Sequence, residues 1–201
     1  MVSFDYDPKS AGCARELRRR FFTDDPDWEI LEGSVLDEQF MEERGTFDVV
    51  YSWGVLHHTG RMWDAIDMAI RRVGAGGRFG IAIYNDEGLM SQFWLRVKTL
   101  YCKGWWSKIL VCSVFFPVYA FLGVLKGIFR HGNPLGDFRA YRKRRGMSPV
   151  HDWHDWLGGL PFEVATSEEI FEFFRKRGFE LRTLISTNRL GCNQLMFERA
   201  D

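Results

Sequence analysis

The chain has 201 residues, 46% apolar and 27% charged, which fits one soluble globular domain and is too short for two large ones. Its 27 basic and 27 acidic residues cancel, so a uniformly basic nucleic-acid binder and an acidic disordered tail are both excluded. The cancellation is an average: residues 88–150 hold 11 basic side chains against the single acid Asp137, a local charge of +10, and the rest of the chain carries −10.

Cys13, Cys102, Cys112 and Cys192 are widely spaced and form no CxxC or Cys/His cluster, which points to buried or idle thiols in a reducing cytoplasm. The opening MVSFDYDPKS has neither a charged segment nor an apolar run of the secretory kind. Neither an internal repeat nor a low-complexity tract is present.

In chain order, residues 2–4 read as the end of a short apolar strand. Asp7-Pro8 then supplies an N-cap and a first-turn proline to a helix with Ala11, Ala14, Leu17 and Phe21 on one side. Strands are expected at residues 28–31 and, buried, at 47–51. Trp63, Ile66, Ile70 and Val73 mark the apolar stripe of a helix stopping at Gly74. Residues 78–84 follow a Gly76-Gly77 turn, and their Phe79, Ile81 and Ile83 alternate with Gly80 and Ala82 as in a central strand with helices on both faces. Beyond the basic segment, Thr166 and Glu169 form a capping box for a helix burying Ile170, Phe173 and Phe174 and ending at Gly178. Residues 179–185 and 194–199 read as strands of an antiparallel hairpin joined through the turn-rich stretch 188–193.

A strand ending in an acid, a helix, and a strand ending in Gly-Ser make the second half of a nucleotide-binding unit. Its glycine-rich first turn would precede the ribose-binding acid by about 20 residues; only four residues precede Asp5. The succession VSFDYDPKSAGCAREL, EGSVLD, FDVVYSWGVLHHTG and GAGGRFGIAIYN resembles the class I S-adenosylmethionine-dependent methyltransferases from their second strand to their fifth, and the closing helix and two strands resemble their C-terminal elements. The family's first strand and E/D-x-G-x-G-x-G loop are not matched, so the expectation is an N-terminal fragment or a late start codon, with a degenerate homologue as the other reading.

The resemblance implies S-adenosylmethionine as cofactor and assigns its contacts. Asp5 would accept hydrogen bonds from the two ribose hydroxyls, against a reading as a solvent-facing strand-end acid. Asp7 is better explained as the helix N-cap. Ser34 and Val35 stand where the family contacts the adenine, with Ser34 in place of the usual acid and Asp37 as its substitute or a solvated loop acid. Ser52, Trp53 and Gly54 would line the methionine part, with a core role competing for Trp53, and Leu56 would pack on the adenine.

Four histidines are catalytic candidates, because an imidazole titrating near neutrality can take a proton from an incoming hydroxyl. These are His57 and His58 after the fourth family strand, for which a structural role is the alternative, and His151 and His154 of HDWHDWLGG. The latter cluster, with Asp152 and Asp155, admits substrate binding, base catalysis, a hydrogen-bonded loop or a metal; no metal is assigned.

Residues 109–125 run 17 positions without a charge, below the roughly 20 needed to cross a bilayer, and include Pro117. A spanning helix would divide the sheet across a membrane. The two remaining readings are a buried lid over the active site and a peripheral membrane contact through residues 103–145, using Lys103, Lys108, Lys126, Arg130 and Arg142 to Arg145. A nucleic-acid partner is not expected, since the interleaved apolar stretch is a poor phosphate track.

The sequence therefore predicts an α/β fold. It is a Rossmann-like doubly wound methyltransferase sheet with a C-terminal antiparallel hairpin and a helical insertion. The expected divisions are an incomplete S-adenosylmethionine-binding core (1–87), the basic apolar insertion (88–157) and the closing helix and hairpin (158–201). The expected activity is methyl transfer to a small-molecule or lipid-like acceptor, the alternative being a non-catalytic remnant or membrane-surface module.

Overall fold

A computed structural model describes residues 1–22, 26–187 and 190–200. Within them the chain forms two compact units, residues 1–85 with 165–201 and residues 86–164.

In the first unit, β1 (Val2–Asp5) pairs in parallel with β2 (Glu29–Glu32), and α1 (Pro8–Phe21) connects them. Asp7 caps α1 by accepting from Lys9 N–H, and Pro8 occupies the first turn, where its missing donor costs nothing. A four-stranded sheet follows in the order β3-β4-β6-β5, with β3 (Phe47–Trp53) parallel to β4 (Val73–Tyr84) and β5 (Phe179–Ile185) and β6 (Cys192–Arg199) antiparallel. The Rossmann-like α/β architecture and the closing hairpin are thus present; positions 188 and 189 of the expected turn lie outside the described residues.

Two boundaries differ from the sequence expectation. The helix α3 (Met62–Ile70) ends three residues before Val73, which opens β4 opposite Phe47 and is fully buried. The strand therefore starts at 73 rather than 78, and its first part is irregular because Gly76 has φ +65° and a Cβ on Gly77 would lie 2.9 Å from the Gly74 carbonyl oxygen. A five-residue helix α2 (Glu38–Glu42), capped by Asp37 accepting from Phe40 N–H, was not anticipated.

Phe79, Ile81 and Ile83 of β4 are fully buried with Ile66 of α3, Leu195 and Phe197 of β6, and Ile170 and Phe174 of α8 (Ser167–Arg175). Phe174 stacks on Phe197 at 4.0 Å, and the predicted Thr166–Glu169 capping box fixes the start of α8 above this core. Val49, Tyr51 and Trp53 alternate onto one side of β3 and stay exposed, at 61%, 65% and 42%, so β3 is not the buried strand expected. Among the described residues β3 pairs with β4 alone and β1 with β2 alone.

The second unit contains four helices: α4 (Leu89–Cys102), α5 (Trp105–His131), α6 (Gly136–Arg145) and α7 (Pro149–Gly158). Its centre holds an unusual charge. Lys98 has no exposed surface; its ammonium donates to the Trp156 carbonyl and sits 4.0 Å from the Trp156 ring centre and 5.0 Å from that of Phe162. Burial outweighs the pull of the Asp155 carboxylate and lowers the Lys98 pKa from 10.5 to about 8.

Because the folded value is the lower one, below pH 8 both states are protonated and the full cost of burying the cation is felt. Between about pH 8 and 10.5 the folded chain loses the proton first, so stability rises with pH. Chemical denaturation across that window should show the native chain gaining about 3 kcal/mol relative to Lys98→Met. Parallel pH curves for the two proteins would refute the assignment.

Candidate functional site

The polar groups of the first unit lie at the carboxyl ends of two parallel pairs, β1 with β2 and β3 with β4, the kind of strand end that ligands approach in open α/β sheets. At the end of β1, Asp5 is half-buried, and one carboxylate oxygen accepts from Asp7 N–H at 2.8 Å. The Asp5 carbonyl accepts from Gly33 N–H at 3.1 Å, tying the tip of β1 to the turn after β2. That turn is tight: a Cβ on Gly33 would lie 2.4 Å from the Phe40 ring. Ser34 closes the next bend by accepting from Leu36 N–H, and Asp37 is a helix cap, so its carboxylate is engaged in starting α2.

At the end of β3, Ser52 is half-buried and Trp53 is 42% exposed, stacked on Tyr51 at 5.3 Å with nearly parallel rings. The core reading of Trp53 does not hold: it lines a groove of about 630 Å³ with Arg78, Met196 and Glu198 on that side of the sheet. Gly54 turns the chain with φ +75° while its N–H donates to Ala82, a conformation that a side chain would strain.

Two expected cofactor contacts also pack with the core. Leu56 is 3% exposed and belongs to the hydrophobic core, so it offers no free apolar face to an adenine ring in this arrangement, and Val35 packs against that same cluster while staying partly exposed. Their neighbours in the core are the side chains of α3 and β4.

His57 also departs from its catalytic reading. The ring is fully buried, lies 4.0 Å from the Tyr84 ring, and uses Nδ1 to accept from Tyr84 N–H, which leaves the proton on Nε2. The ring has no solvent-exposed surface in this structure, and it fastens the turn after β3 to the end of β4. His58 is half-buried against His57 and the edge of Tyr84.

The α7 cluster lies in the second unit and disperses among separate partners. His151 is exposed and its Nδ1 is 2.7 Å from Ser148 Oγ, which also caps the helix through His151 N–H. His154 Nδ1 is 2.7 Å from the Tyr101 hydroxyl, with the ring edge-on to Phe116. Asp152 accepts from Tyr141 and Arg145, and Asp155 is exposed. Among the described residues, no three His, Cys, Asp or Glu side chains converge on a metal position.

Sequence reasoning missed Asn85 and Asn193. Asn193 is fully buried, donating to Asn85 Oδ1 at 2.9 Å and accepting from Ser186 Oγ at 3.0 Å, while Asn85 donates to the Thr187 carbonyl. This polar network pins the carboxyl end of β4, and its sequence signal was an asparagine immediately following an apolar strand. All four cysteines are free, Cys13 and Cys102 being exposed rather than buried; burial raises the Cys192 pKa to about 11 and keeps it a thiol.

No family model and no curated protein matches the chain by sequence. Solved structures do match its fold. PKMT2 of Rickettsia typhi, in complex with AdoHcy, superposes with a TM-score of 0.60 at 11% identity over 98% of this chain and 44% of that one. An O-methyltransferase family protein of Burkholderia thailandensis gives 0.55 at 16% identity, over 100% and 43%. Magnesium protoporphyrin IX methyltransferase of Synechocystis PCC 6803 with bound SAH gives 0.52 at 12%, over 99% and 64%. The chain thus has the Rossmann-like fold of the class I S-adenosylmethionine-dependent methyltransferases and spans 43% to 64% of these three proteins.

If His57 is a fastening residue, His57→Ala should lower the unfolding free energy by about 2–4 kcal/mol in denaturant titrations. His58→Ala, at the half-buried neighbour, should cost less than half as much. An unchanged midpoint for His57→Ala would return it to the chemical candidates.

Proposed function

We propose that this chain carries the S-adenosylmethionine-binding part of a methyltransferase that acts on a small-molecule or lipid-like acceptor. The observation that supports this most directly is the β1 tip: a half-buried carboxylate at a strand's carboxyl end, held through one oxygen, beside the Gly33 turn against which the Phe40 ring packs. An ionised Asp5 only accepts hydrogen bonds, which suits a pair of ribose hydroxyls, and it needs little reorganisation because Asp7 N–H already orients it. Several structural neighbours, including N-methyltransferase NodS of Bradyrhizobium japonicum WM9, were solved with the demethylated cofactor bound.

The residues present fit that group. Asp5, Ser34, Ser52 and Gly54 present a carboxylate, hydroxyls and an open backbone turn at the carboxyl ends of parallel strands, a donor and acceptor set for a nucleoside carrying an amino-acid chain. When bound, S-adenosylmethionine supplies a methyl group already activated on a sulfonium, so the protein's task is to orient donor and acceptor and exclude water. On the acceptor side, His58 of the same unit keeps accessible surface and remains the proposed base.

Titration calorimetry with S-adenosylhomocysteine should detect binding to this chain, weakened about 10- to 100-fold by Asp5→Ala, the usual loss for hydrogen bonds to a charged group. His58→Ala should leave that affinity unchanged and reduce methyl transfer. No heat with either S-adenosylhomocysteine or S-adenosylmethionine would refute the cofactor reading, and equal affinity for Asp5→Ala would refute the role of the carboxylate.

A further inference from the structure

The helix α5 has two faces under different constraints. On one, Phe116 and Tyr119 pack on Trp153 at 5.4 and 5.6 Å, Gly123 lets the Phe138 ring approach, and Gly127 lets the backbone of residues 133–134 approach. On the other, Trp106, Leu110, Val114, Val118 and Phe121 recur at three- and four-residue spacings along one stripe, which Phe129, eleven residues after Val118, extends; all six are 47% to 85% exposed. Only 6% of the helix's most apolar 18 residues is buried within the structure, the opposite of a core helix. The expectation of a lid that is apolar because it is buried therefore does not describe α5 in this structure.

Charge borders this face. Lys108 and Lys126 are 18 positions apart, five helical turns, and so share one side of α5. Lys103 and Arg130 stand at its two ends, and α6 adds exposed Arg139, Arg142 and Lys143, for which no ion pair is recorded among the described residues. Contact between the basic surfaces of two copies would be repulsive, whereas an anionic surface is complementary. A crossing geometry is disfavoured because the inner face of α5 is fastened to α6 and α7, and α6 carries four consecutive basic residues.

We propose that the outward face of α5, with its basic border, is a docking surface for an anionic lipid bilayer, lying in the interfacial plane with its aromatic and aliphatic side chains immersed. The attraction has two separable parts, apolar burial and the roughly fivefold gain each Lys or Arg provides near an anionic leaflet. This assignment is independent of methyl transfer.

Flotation of the full chain with vesicles of phosphatidylcholine alone or mixed with phosphatidylserine tests it. The chain should float with the mixed vesicles, at least tenfold more weakly at high salt, and alkaline carbonate should release it. Leu110→Asp combined with Phe121→Asp should cut binding at least tenfold, and Lys126→Glu with Arg130→Glu should abolish the preference for phosphatidylserine; both pairs are exposed, so circular dichroism melts should stay at the native midpoint. No flotation with either vesicle would overturn the proposal, as would retention after carbonate, which indicates a spanning helix, or a soluble dimer that the Leu110 and Phe121 substitutions dissociate. Calorimetry with S-adenosylhomocysteine on the same preparations separates loss of the lipid surface from loss of the cofactor site.

Discussion

The parallel pairing of β3 with β4 is the constraint on which the rest of the first unit depends. Its register sets Val50 against Phe79 and Ser52 against Ile81, and it brings the carboxyl ends of the two strands to one edge. Once β4 is held, its fully buried Phe79, Ile81 and Ile83 give α3 and α8 a common surface, and the antiparallel β6 closes the opposite edge of β4. Parallel strands leave their connection to cross a face of the sheet, so the turn after β3 must be fastened before it reaches α3. His57 does that by accepting from the backbone of Tyr84, the last residue of β4, and Asn193 does the equivalent work from β6 through Asn85. The histidine and the asparagines thus hold the carboxyl end of β4 beside that of β3, where Ser52 and Gly54 stand among the proposed cofactor contacts.

That division explains which parts of the site were legible in the sequence. Asp7, the Thr166–Glu169 box and the alternation of β4 are local patterns, decided by a few neighbouring residues, and the structure reproduces them. Asp5 and Gly54 also fall at strand ends because strand length is set locally by the apolar run. The side-chain environments of His57, Leu56 and Val35 depend instead on which residues of β4 and α3 come across to meet them, contacts separated by many residues in sequence. A polar residue next to a strand looks the same in one dimension whether it faces solvent or closes a core. The start of β4 was misplaced for a related reason: Val73 continues the apolar stripe of α3, and only its pairing opposite Phe47 marks it as strand.

The α5 segment shows the same limit at a larger scale. A charge-free run of 17 residues was ambiguous in sequence because two different demands wrote one pattern. The inner positions are apolar or glycine because Trp153, Phe138 and the backbone after α5 pack there. The outer positions are equally apolar, yet nothing in the described chain covers them. Ordinary surface helices relieve that side with charged residues, since exposed apolar area costs solubility and gains nothing for the fold. Here the charges are displaced to the border and the ends, which preserves a continuous apolar face while keeping a net positive field around it. The formal neutrality of the whole chain conceals this arrangement, because the acids that balance those lysines and arginines lie almost entirely outside residues 88–150. Neutrality averaged over a chain is uninformative when the opposite charges belong to segments with different neighbours; what a bilayer meets is the local field within about 10 Å, the screening distance at ordinary salt.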